Sequence, residues 1–66
     1  MEDLLTGQEV SEELQVPERT LASWRYMGRG PAFIRVGKHV RYARRDVEKW
    51  LKANRHEALE PDGSRR

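Results

Sequence analysis

The stretch that decides the fold is residues 16–28, with the sequence VPERTLASWRYMG. Pro17 suits the first position of a helix, and Gly28 can adopt the left-handed conformation that ends one. Leu21 and Trp24 are three residues apart and share one face of such a helix. The opposite side carries small, polar and basic side chains and one tyrosine, which are Glu18, Arg19, Ala22, Ser23 and Tyr26. A short helix of this kind can lie in a DNA major groove, so we interpret it as a recognition helix. The alternative is an ordinary amphipathic surface helix.

The charged residues of the chain fall into blocks of opposite sign. Every charged residue from Met1 to Glu18 is acidic, and every one from Arg19 to Arg45 is basic, although the formal net charge is only +2. A basic stretch interleaved with aromatic residues and glycines is typical of a surface for a polyanion such as DNA. The alternative is that the acidic block neutralises the basic block within the fold.

A capping box precedes the recognition helix. Thr6 and Glu9 have the spacing at which a threonine caps a helix and a glutamate bonds back to the cap, and the leucines at 4 and 5 can staple the entry. This pattern predicts a helix over residues 7–14 whose acidic side chains point outward. DNA phosphates would repel those side chains, so we expect this helix to support the recognition helix from behind. Residues 15–16 then make a tight connection, which gives a helix-turn-helix.

The rest of the chain predicts a hairpin, a third helix and a tail. Residues 32–36 and 40–43 are short β-favouring runs around a turn at 37–39. Residues 44–55 have helical periodicity, and residues 56–66 have the composition of a flexible tail. The apolar side of the third helix, expected to pack on the hairpin and the first helix, comprises Val47, Trp50 and Leu51. The predicted fold class is α+β, a small winged helix-turn-helix with two N-terminal helices, a two-stranded wing and a C-terminal helix.

The apolar residues of the hairpin predict its register. If they all face the helices, Val36 pairs with Val40 and Ile34 pairs with Tyr42, which demands a three-residue loop. A two-residue loop would mix apolar and polar residues on both faces, so we prefer the first register.

The preferred register has an electrostatic consequence. It sets Arg35 directly across from Arg41 on the outer face, where like charges are unfavourable by themselves. A bound phosphate backbone would relieve the repulsion, so we interpret the hairpin as a DNA-binding wing. Arg35, Lys38, His39 and Arg41 are then expected to converge on one face.

The length and composition set bounds on the class of protein. A chain of 66 residues allows one small domain, expected at residues 1–55, with a core that supplies about 3–5 kcal/mol. Cysteine is absent, which excludes a disulfide framework and a cysteine zinc site. No long apolar run is present, so we expect a soluble protein of the cytoplasm, with neither a signal peptide nor a membrane span.

Enzymatic chemistry has no support in the residue inventory. The imidazoles are His39, in the predicted wing loop, and His56, in the predicted tail. No pair of carboxylates flanks a predicted pocket, and no glycine-rich phosphate loop follows a strand. We therefore expect no enzyme activity, no cofactor and no metal site. The remaining rival to DNA binding is a protein-interaction module whose basic face binds an acidic partner.

A set of residues spread over about positions 4–54 carries a family resemblance. These residues are Leu5, Thr6, Glu9, Val10, Leu14, Val16, Thr20, Leu21, Trp24, Arg25, Gly28, Gly30, Pro31, Ile34, Val36, Gly37, Val40, Arg41, Tyr42, Asp46, Val47, Trp50 and Leu51. In order and spacing they resemble the excisionase-type winged-helix family, which is related to MerR-like and AlpA-like domains.

The resemblance implies a function as well as a fold. It implies that the second helix enters the DNA major groove and that the wing lies at the adjacent minor groove. Members of the family include phage excisionases, which bind attachment-site DNA, bend it and direct a tyrosine integrase towards excision. Double-stranded DNA and a tyrosine integrase are therefore the implied partners, in the cytoplasm of a bacterial host cell. Because the same domain also serves small transcription regulators, that role is the alternative.

Two positions depart from the family pattern. The turn residue is often glycine but is Gln15 here, and a non-glycine residue in a left-handed turn costs about 1 kcal/mol. The cap before the second helix is often serine but is Pro17 here. Losing a side-chain cap costs about 1 kcal/mol, partly offset by the fixed φ of proline. Both departures concern the start of the recognition helix, and hence whether Glu18 or Arg19 reaches a base.

The candidate DNA-binding residues come from the second helix, the wing and the start of the third helix. They are Glu18, Arg19, Thr20, Ser23, Arg25, Tyr26, Arg29, Arg35, Lys38, His39, Arg41 and Arg44. We expect Arg19 to contact a base edge or a flanking phosphate, and Ser23 and Tyr26 to contact the DNA backbone. We expect Lys38 and Arg41 to bind phosphate or to enter a narrow minor groove, where the negative potential is strongest.

The small size of the domain predicts assembly on DNA. One module of this kind buries about 600–1,000 Å², which is too little to select a single genomic site. Several copies on adjacent sites would share contacts and together offset a bending cost of about 1–6 kcal/mol. The acidic helix and the basic wing lie on different parts of the surface, so we expect a monomer in solution that forms an open head-to-tail row on DNA. The third helix or the tail would then contact the integrase.

Overall fold

A computed structural model describes residues 3–57 of the chain. In chain order the elements are β1 (Leu4–Thr6), α1 (Gly7–Leu14), α2 (Glu18–Met27), β2 (Ile34–Val36), β3 (His39–Ala43) and α3 (Arg44–Ala53). The strands form one antiparallel sheet in the order β1-β3-β2. The predicted α+β winged helix-turn-helix is therefore confirmed, with one strand more than the sequence predicted.

The capping box fixes the start of α1. Thr6 Oγ1 accepts a hydrogen bond of 3.0 Å from the Glu9 amide, and Glu9 Oε1 accepts one of 2.8 Å from the Thr6 amide. The helix spans residues 7–14, and this prediction is confirmed. Val10 is fully buried while the acidic side chains are exposed, so α1 turns its apolar side to the core.

The turn between α1 and α2 depends on one residue in the left-handed region. Gln15 has φ 58 and ψ 43, a conformation that costs a non-glycine residue about 1 kcal/mol. Two hydrogen bonds close the turn around it. The Val16 amide donates to the Ser11 carbonyl at 3.1 Å, and the Ser11 hydroxyl donates to the Val16 carbonyl. These bonds hold Gln15 in the geometry that lets α1 and α2 pack together.

Helix α2, which the sequence predicted to be a recognition helix, begins one residue later than predicted. Pro17 is the N-cap residue with an extended backbone, ψ 151, and no side chain caps the helix. The prediction that Pro17 takes the first helical position is wrong. Its carbonyl instead accepts the amides of Thr20 and Leu21 at 3.0 and 3.3 Å, and proline's φ of −63 suits the extended region as well as the helix. At the other end Gly28 adopts φ 73, which confirms the predicted left-handed cap.

The core lies between the helices and the inner face of the sheet. Its buried side chains are Leu5, Val10, Leu21, Tyr42 and Val47, with Leu14, Val16, Trp24 and Val40 packed around them. The rings of Trp24 and Trp50 lie 5.3 Å apart and join α2 to α3. The prediction that Leu51 also packs is wrong, since it is 44% exposed. Because Trp50 packs on Trp24, the buried face of α3 is centred on Val47 and Trp50, and Leu51 lies at its edge.

The leucines at 4 and 5 belong to a strand, and Leu5 lies in the same buried cluster as Val10. β1 pairs with β3, which sets Leu5 opposite Tyr42 and Thr6 opposite Arg41. Leu5 and Tyr42 are both buried, so the pairing adds apolar contact and covers one edge of β3. The sequence analysis did not predict β1, because a strand of three residues is too short to show alternation in the sequence.

The register of β2 on β3 differs by one residue from the predicted one. The observed pairs are Val36–His39, Arg35–Val40 and Ile34–Arg41. The predicted pairs Val36–Val40 and Ile34–Tyr42 are therefore wrong, as is the placing of Arg35 across from Arg41. A shift of one residue reverses the faces of a strand, so Ile34 and Val36 face outward and Arg35 faces the side of Tyr42.

The physical reason for this register lies in the turn. Gly37 and Lys38 form a two-residue loop in which Gly37 has φ 62, and Gln15 is the one non-glycine residue with a positive φ among residues 3–57. Glycine at the first turn position is the pattern of a type II′ hairpin, whose twist matches that of its strands. Ile34 and Val36 are 40% and 48% exposed, so the core exerts little control over the register of β2.

The third helix ends at Ala53, two residues before the predicted end. The Asn54 side chain donates to the Trp50 carbonyl at 2.8 Å, and the Asn54 amide donates to the same carbonyl at 3.0 Å. The predicted tail begins at residue 56, and its residues 58–66 lie outside the described residues.

Candidate nucleic-acid interface

A cleft between the start of α2 and the tip of the wing brings predicted DNA-binding residues together. Its volume is about 400 Å³. The residues that line it are Glu18, Leu21 and Arg25 from α2, Lys38, His39, Val40 and Arg41 from the wing, and Thr6, Gly7 and Gln8 at the start of α1. The recognition helix and the wing therefore form one continuous surface, although they are distant in sequence.

The side of α2 that the sequence predicted to face outward is exposed. Arg19, Ser23 and Tyr26 are exposed, whereas Thr20 is half-buried. Tyr26 is 93% exposed, so its ring contributes nothing to the core. An exposed tyrosine offers both an apolar ring and a hydroxyl to a partner. DNA contact by these side chains remains a prediction.

Glu18 lies where α1 begins. A Cβ built on Gly7 would be 3.8 Å from Glu18 Oε1, so the carboxylate is beside the first turn of α1. The partial positive charge at a helix N-terminus favours a carboxylate there. Glu18 is also exposed and lines the cleft, so it stays accessible to a ligand, and its predicted contact with a base remains a prediction.

Arg25 is held by two neighbours within the fold. Its Nη1 donates a hydrogen bond of 2.7 Å to the Tyr42 hydroxyl, and its Cζ lies 5.8 Å from the ring centre of Phe33. A guanidinium has five N–H donors, so these contacts leave donors for phosphate. Arg25 therefore reaches the cleft in a fixed orientation.

The basic residues of the wing do not converge on one face, and that prediction is wrong. The observed register puts His39 and Arg41 on the outer face, Arg35 on the opposite face and Lys38 in the turn. Arg41 Nη1 also donates to the Val40 carbonyl at 2.8 Å. The structure brings Lys38, His39 and Arg41 together at the cleft and places Arg35 elsewhere.

Arg44 has acidic partners inside the molecule. Its Nη1 and Nη2 donate to the two carboxylate oxygens of Glu13 at 3.3 and 3.2 Å, and its Nε is 3.7 Å from Asp3. The hydrogen bond and charge of Glu13 raise the pKa of Arg44 above its ordinary value. At this position the acidic block does neutralise the basic block, as the alternative interpretation of the charge pattern expected.

A second, shallower groove lies at the end of α2. It has a volume of about 320 Å³ and is lined by Arg25, Arg29, Phe33 and the backbone segment 28–32. Arg29 is exposed, and its amide donates to the Trp24 carbonyl at 2.6 Å. This groove places the predicted residue Arg29 beside Arg25.

Sequence reasoning missed Phe33 as a site residue. Its ring lies between α2 and the sheet, 6.4 Å from the ring of Tyr42, and the Arg35 guanidinium is 5.9 Å from its centre. The available signal was the spacing of Phe33 and Arg35, because residues two apart share a face of a strand. The contacts with Tyr42 and Arg25 depend on the hairpin register and were not accessible from the sequence.

Residues 3–57 contain neither a grouping of metal ligands nor a membrane-spanning helix. In that range no three acidic or histidine side chains are grouped closely enough to hold a metal ion. No helix there has the length and apolar character needed to cross a bilayer. His39 and His56 are both exposed.

Comparison with known proteins gives a family match. A family model described as a helix-turn-helix domain matches residues 4–55, which include all three helices and the wing. Neither the curated proteins nor the solved structures give a match. The matching family includes small AlpA-like and excisionase-like DNA-binding proteins, and its members are typically not enzymes. The match supports sequence-specific binding of double-stranded DNA.

Proposed function

The chain belongs to the helix-turn-helix domain family, and from that premise we propose that it is an architectural DNA-binding protein of the excisionase type. Several copies bind attachment-site DNA side by side, bend it and direct a tyrosine integrase towards excision. In each copy α2 lies in the major groove and the wing lies at the adjacent minor groove.

The observation that supports this proposal best is the cleft shared by α2 and the wing tip. Arg25 on one wall and Lys38 and Arg41 on the other are cations on two elements that a duplex can contact at once. Half or more of protein–DNA hydrogen bonds go to the backbone, and such contacts fix the register of the protein on the duplex. The positive charges of the cleft therefore favour a binding mode in which the helix lies in one groove and the wing lies in the next.

Cooperative binding follows from the size of the module. A single domain of this kind buries about 600–1,000 Å² on DNA, whereas bending a site of 20–30 base pairs costs about 1–6 kcal/mol. Neighbouring copies that contact one another distribute this cost. The assembly is an open row, because the contacting surfaces on the two sides of each copy are different.

We propose that one carboxylate of α1 forms the acidic side of the neighbour contact, because the other two acidic side chains of this helix have partners within the fold. Glu9 closes the capping box and Glu13 holds Arg44. Glu12 is exposed and accepts a long hydrogen bond of 3.4 Å from the Gln8 side chain. We assign Glu12 as the carboxylate that meets the basic wing of the next copy.

Gel shifts on duplexes with one, two and three adjacent sites test the architectural part of the proposal. Affinity per site should rise with the number of sites, and circular permutation should show a bend that grows with it. Glu12→Lys should reduce the cooperativity and leave single-site affinity intact. Glu57→Lys makes the same change of charge on another exposed residue and serves as the control. Equal affinity per site without added bend would leave a simple transcription regulator.

Arg19→Ala tests the recognition helix itself. A bidentate arginine–base contact is worth about 1–3 kcal/mol of discrimination, so binding to the cognate site should weaken by about 5- to 150-fold. Arg19 is exposed, so the circular dichroism spectrum should not change. Unchanged binding would remove α2 from the interface.

A further inference from the structure

Two arginines from different parts of the chain lie against one aromatic ring. The guanidinium carbon of Arg25, on α2, is 5.8 Å from the ring centre of Phe33, and that of Arg35, on β2, is 5.9 Å from it. Phe33 immediately precedes β2 and is 37% exposed, so the ring is open to solvent on part of its surface. The ring therefore connects the recognition helix to the wing at their junction.

The position of Phe33 is itself determined by the hairpin register. Because Ile34 pairs with Arg41, the preceding residue falls opposite Tyr42, and the two rings are 6.4 Å apart with an interplanar angle of 57°. Tyr42 is buried and accepts the hydrogen bond of Arg25. The ring of Phe33 thus lies beside the buried Tyr42 and has two cations near it.

The two side chains beside this ring are both cations. Each cation is attracted by the ring quadrupole, and these attractions keep both side chains in place. A third cation is close, because Arg29 lines the same shallow groove as Arg25 and Phe33. An anion with several acceptor oxygens is the ligand that such a cluster fits, since the planar fork of arginine matches phosphate geometry.

We propose that Phe33 is a positioning residue, whose ring holds Arg25 and Arg35 in place for backbone phosphates of the DNA strand that passes the junction of α2 and the wing. Through this ring the helix and the wing contact DNA as one unit. The inference rests on the DNA binding contained in the proposed function, and it requires neither bending nor an integrase.

The test measures affinity for a duplex with a single site as a function of salt. Phe33→Leu removes the quadrupole and keeps an apolar side chain, and should weaken binding about tenfold through the loss of two cation–π contacts. Phe33→Tyr keeps the ring and should bind within about twofold of the wild type. Thermal unfolding of each variant shows that it is folded, and Phe33→Met provides a second non-aromatic replacement if Phe33→Leu fails to fold.

A double-mutant cycle separates positioning from a merely structural role. Arg35→Ala should lower the slope of log affinity against log salt by about 0.9, as expected for one lost phosphate contact. In the Phe33→Leu background the same change should reduce affinity by a smaller factor, because the guanidinium is no longer held in place. Lys52→Ala removes one exposed positive charge from α3 and should behave identically in both backgrounds.

Three outcomes would overturn the inference: a Phe33→Leu affinity within twofold of the wild type, a Phe33→Tyr protein as weak as Phe33→Leu, or strictly additive effects of Phe33→Leu and Arg35→Ala. Each of these leaves the proposed function intact, since the wild type would still bind. A wild type without salt-dependent binding to duplex DNA would overturn both. Loss of cooperativity on multiple sites, with the single-site results as expected, would support the role of Phe33 and remove only the architectural proposal.

Discussion

The helix-turn-helix half of the molecule and its wing are held in place by different forces. In residues 4–28 the key side chains are buried, with Val10 at 0% and Leu21 at 1% exposure. In the hairpin, β3 contributes the buried Tyr42 to the core, but Ile34 and Val36 of β2 are 40% and 48% exposed, and a two-residue turn and surface contacts define the geometry of β2. The first half is therefore fixed by apolar burial, whereas β2 and the turn are free to give their side chains to a ligand. Substitutions should separate along the same division, with losses of stability in one half and losses of DNA affinity in the other.

The largest expected effect tests this division directly. Leu21→Ala opens a cavity in the core and should reduce the free energy of unfolding by about 2–5 kcal/mol. A domain of this size has a total of about 3–5 kcal/mol from its core, so the variant should be largely unfolded at 37 °C. Val36→Ala, at an exposed apolar position of the wing, should lower the free energy of unfolding by less than about 1 kcal/mol. Urea titrations followed by circular dichroism measure both, and equal losses would show that the wing is as much a part of the core as α2.

The same division explains which features could be predicted from the sequence. The start of α1 followed from Thr6 and Glu9, because a capping box is a local interaction whose members lie three residues apart. The left-handed cap at Gly28 was equally local. These elements form from neighbouring residues, and the tertiary structure does not override them.

The register of the wing could not be predicted in this way. Placing Ile34 and Val36 inward was reasonable on apolar content, but the turn at Gly37 determined the pairing and reversed β2. The predicted interface was wrong for the same reason. In the structure Arg35 lies on the opposite face from Arg41 and beside Phe33. Long-range contacts such as Arg44 with Glu13 are also invisible to local patterns. Which basic residues lie close together therefore had to be determined from the structure.

Glycine substitutions should also distinguish a glycine packed against α2 from a glycine in the turn of the wing. A Cβ on Gly30 would lie 2.8 Å from Cε3 of Trp24, the ring that packs on Trp50, and Gly30 has φ 82. Gly30→Ala should lower the free energy of unfolding by about 3 kcal/mol, from the overpacking and the left-handed strain together. Gly37 has φ 62, but a Cβ added there would meet no atom within 4 Å, so Gly37→Ala should lose only about 1 kcal/mol from strain. Thermal unfolding of both variants measures these two losses of stability. A greater loss for Gly37→Ala than for Gly30→Ala would contradict the prediction.

One substitution in the helix-turn-helix half should be stabilising. Gln15 is held at φ 58, and asparagine adopts this region more readily than glutamine. Gln15→Asn should raise the free energy of unfolding by about 0.5–1 kcal/mol without affecting DNA affinity. Gln8→Asn makes the same chemical change inside α1, where asparagine has the lower helix propensity, and should lower the free energy of unfolding by a few tenths of a kcal/mol. If both variants lose stability, the left-handed conformation of Gln15 is not what limits the stability of the turn.

The smallest expected effect concerns Arg44, which the sequence grouped with the DNA-binding cations. Its guanidinium donates to both carboxylate oxygens of Glu13 and lies near Asp3, so the acidic block already compensates its charge. Arg44→Ala should therefore leave the slope of log affinity against log salt unchanged. Arg41→Ala removes a cation that lines the cleft, and should lower that slope by about 0.9. Gel shifts from 50 to 200 mM salt on one duplex compare the two variants under identical conditions. A slope that falls equally for both would mean that Arg44 exchanges Glu13 for a phosphate when DNA binds, which would extend the interface from the wing to the start of α3.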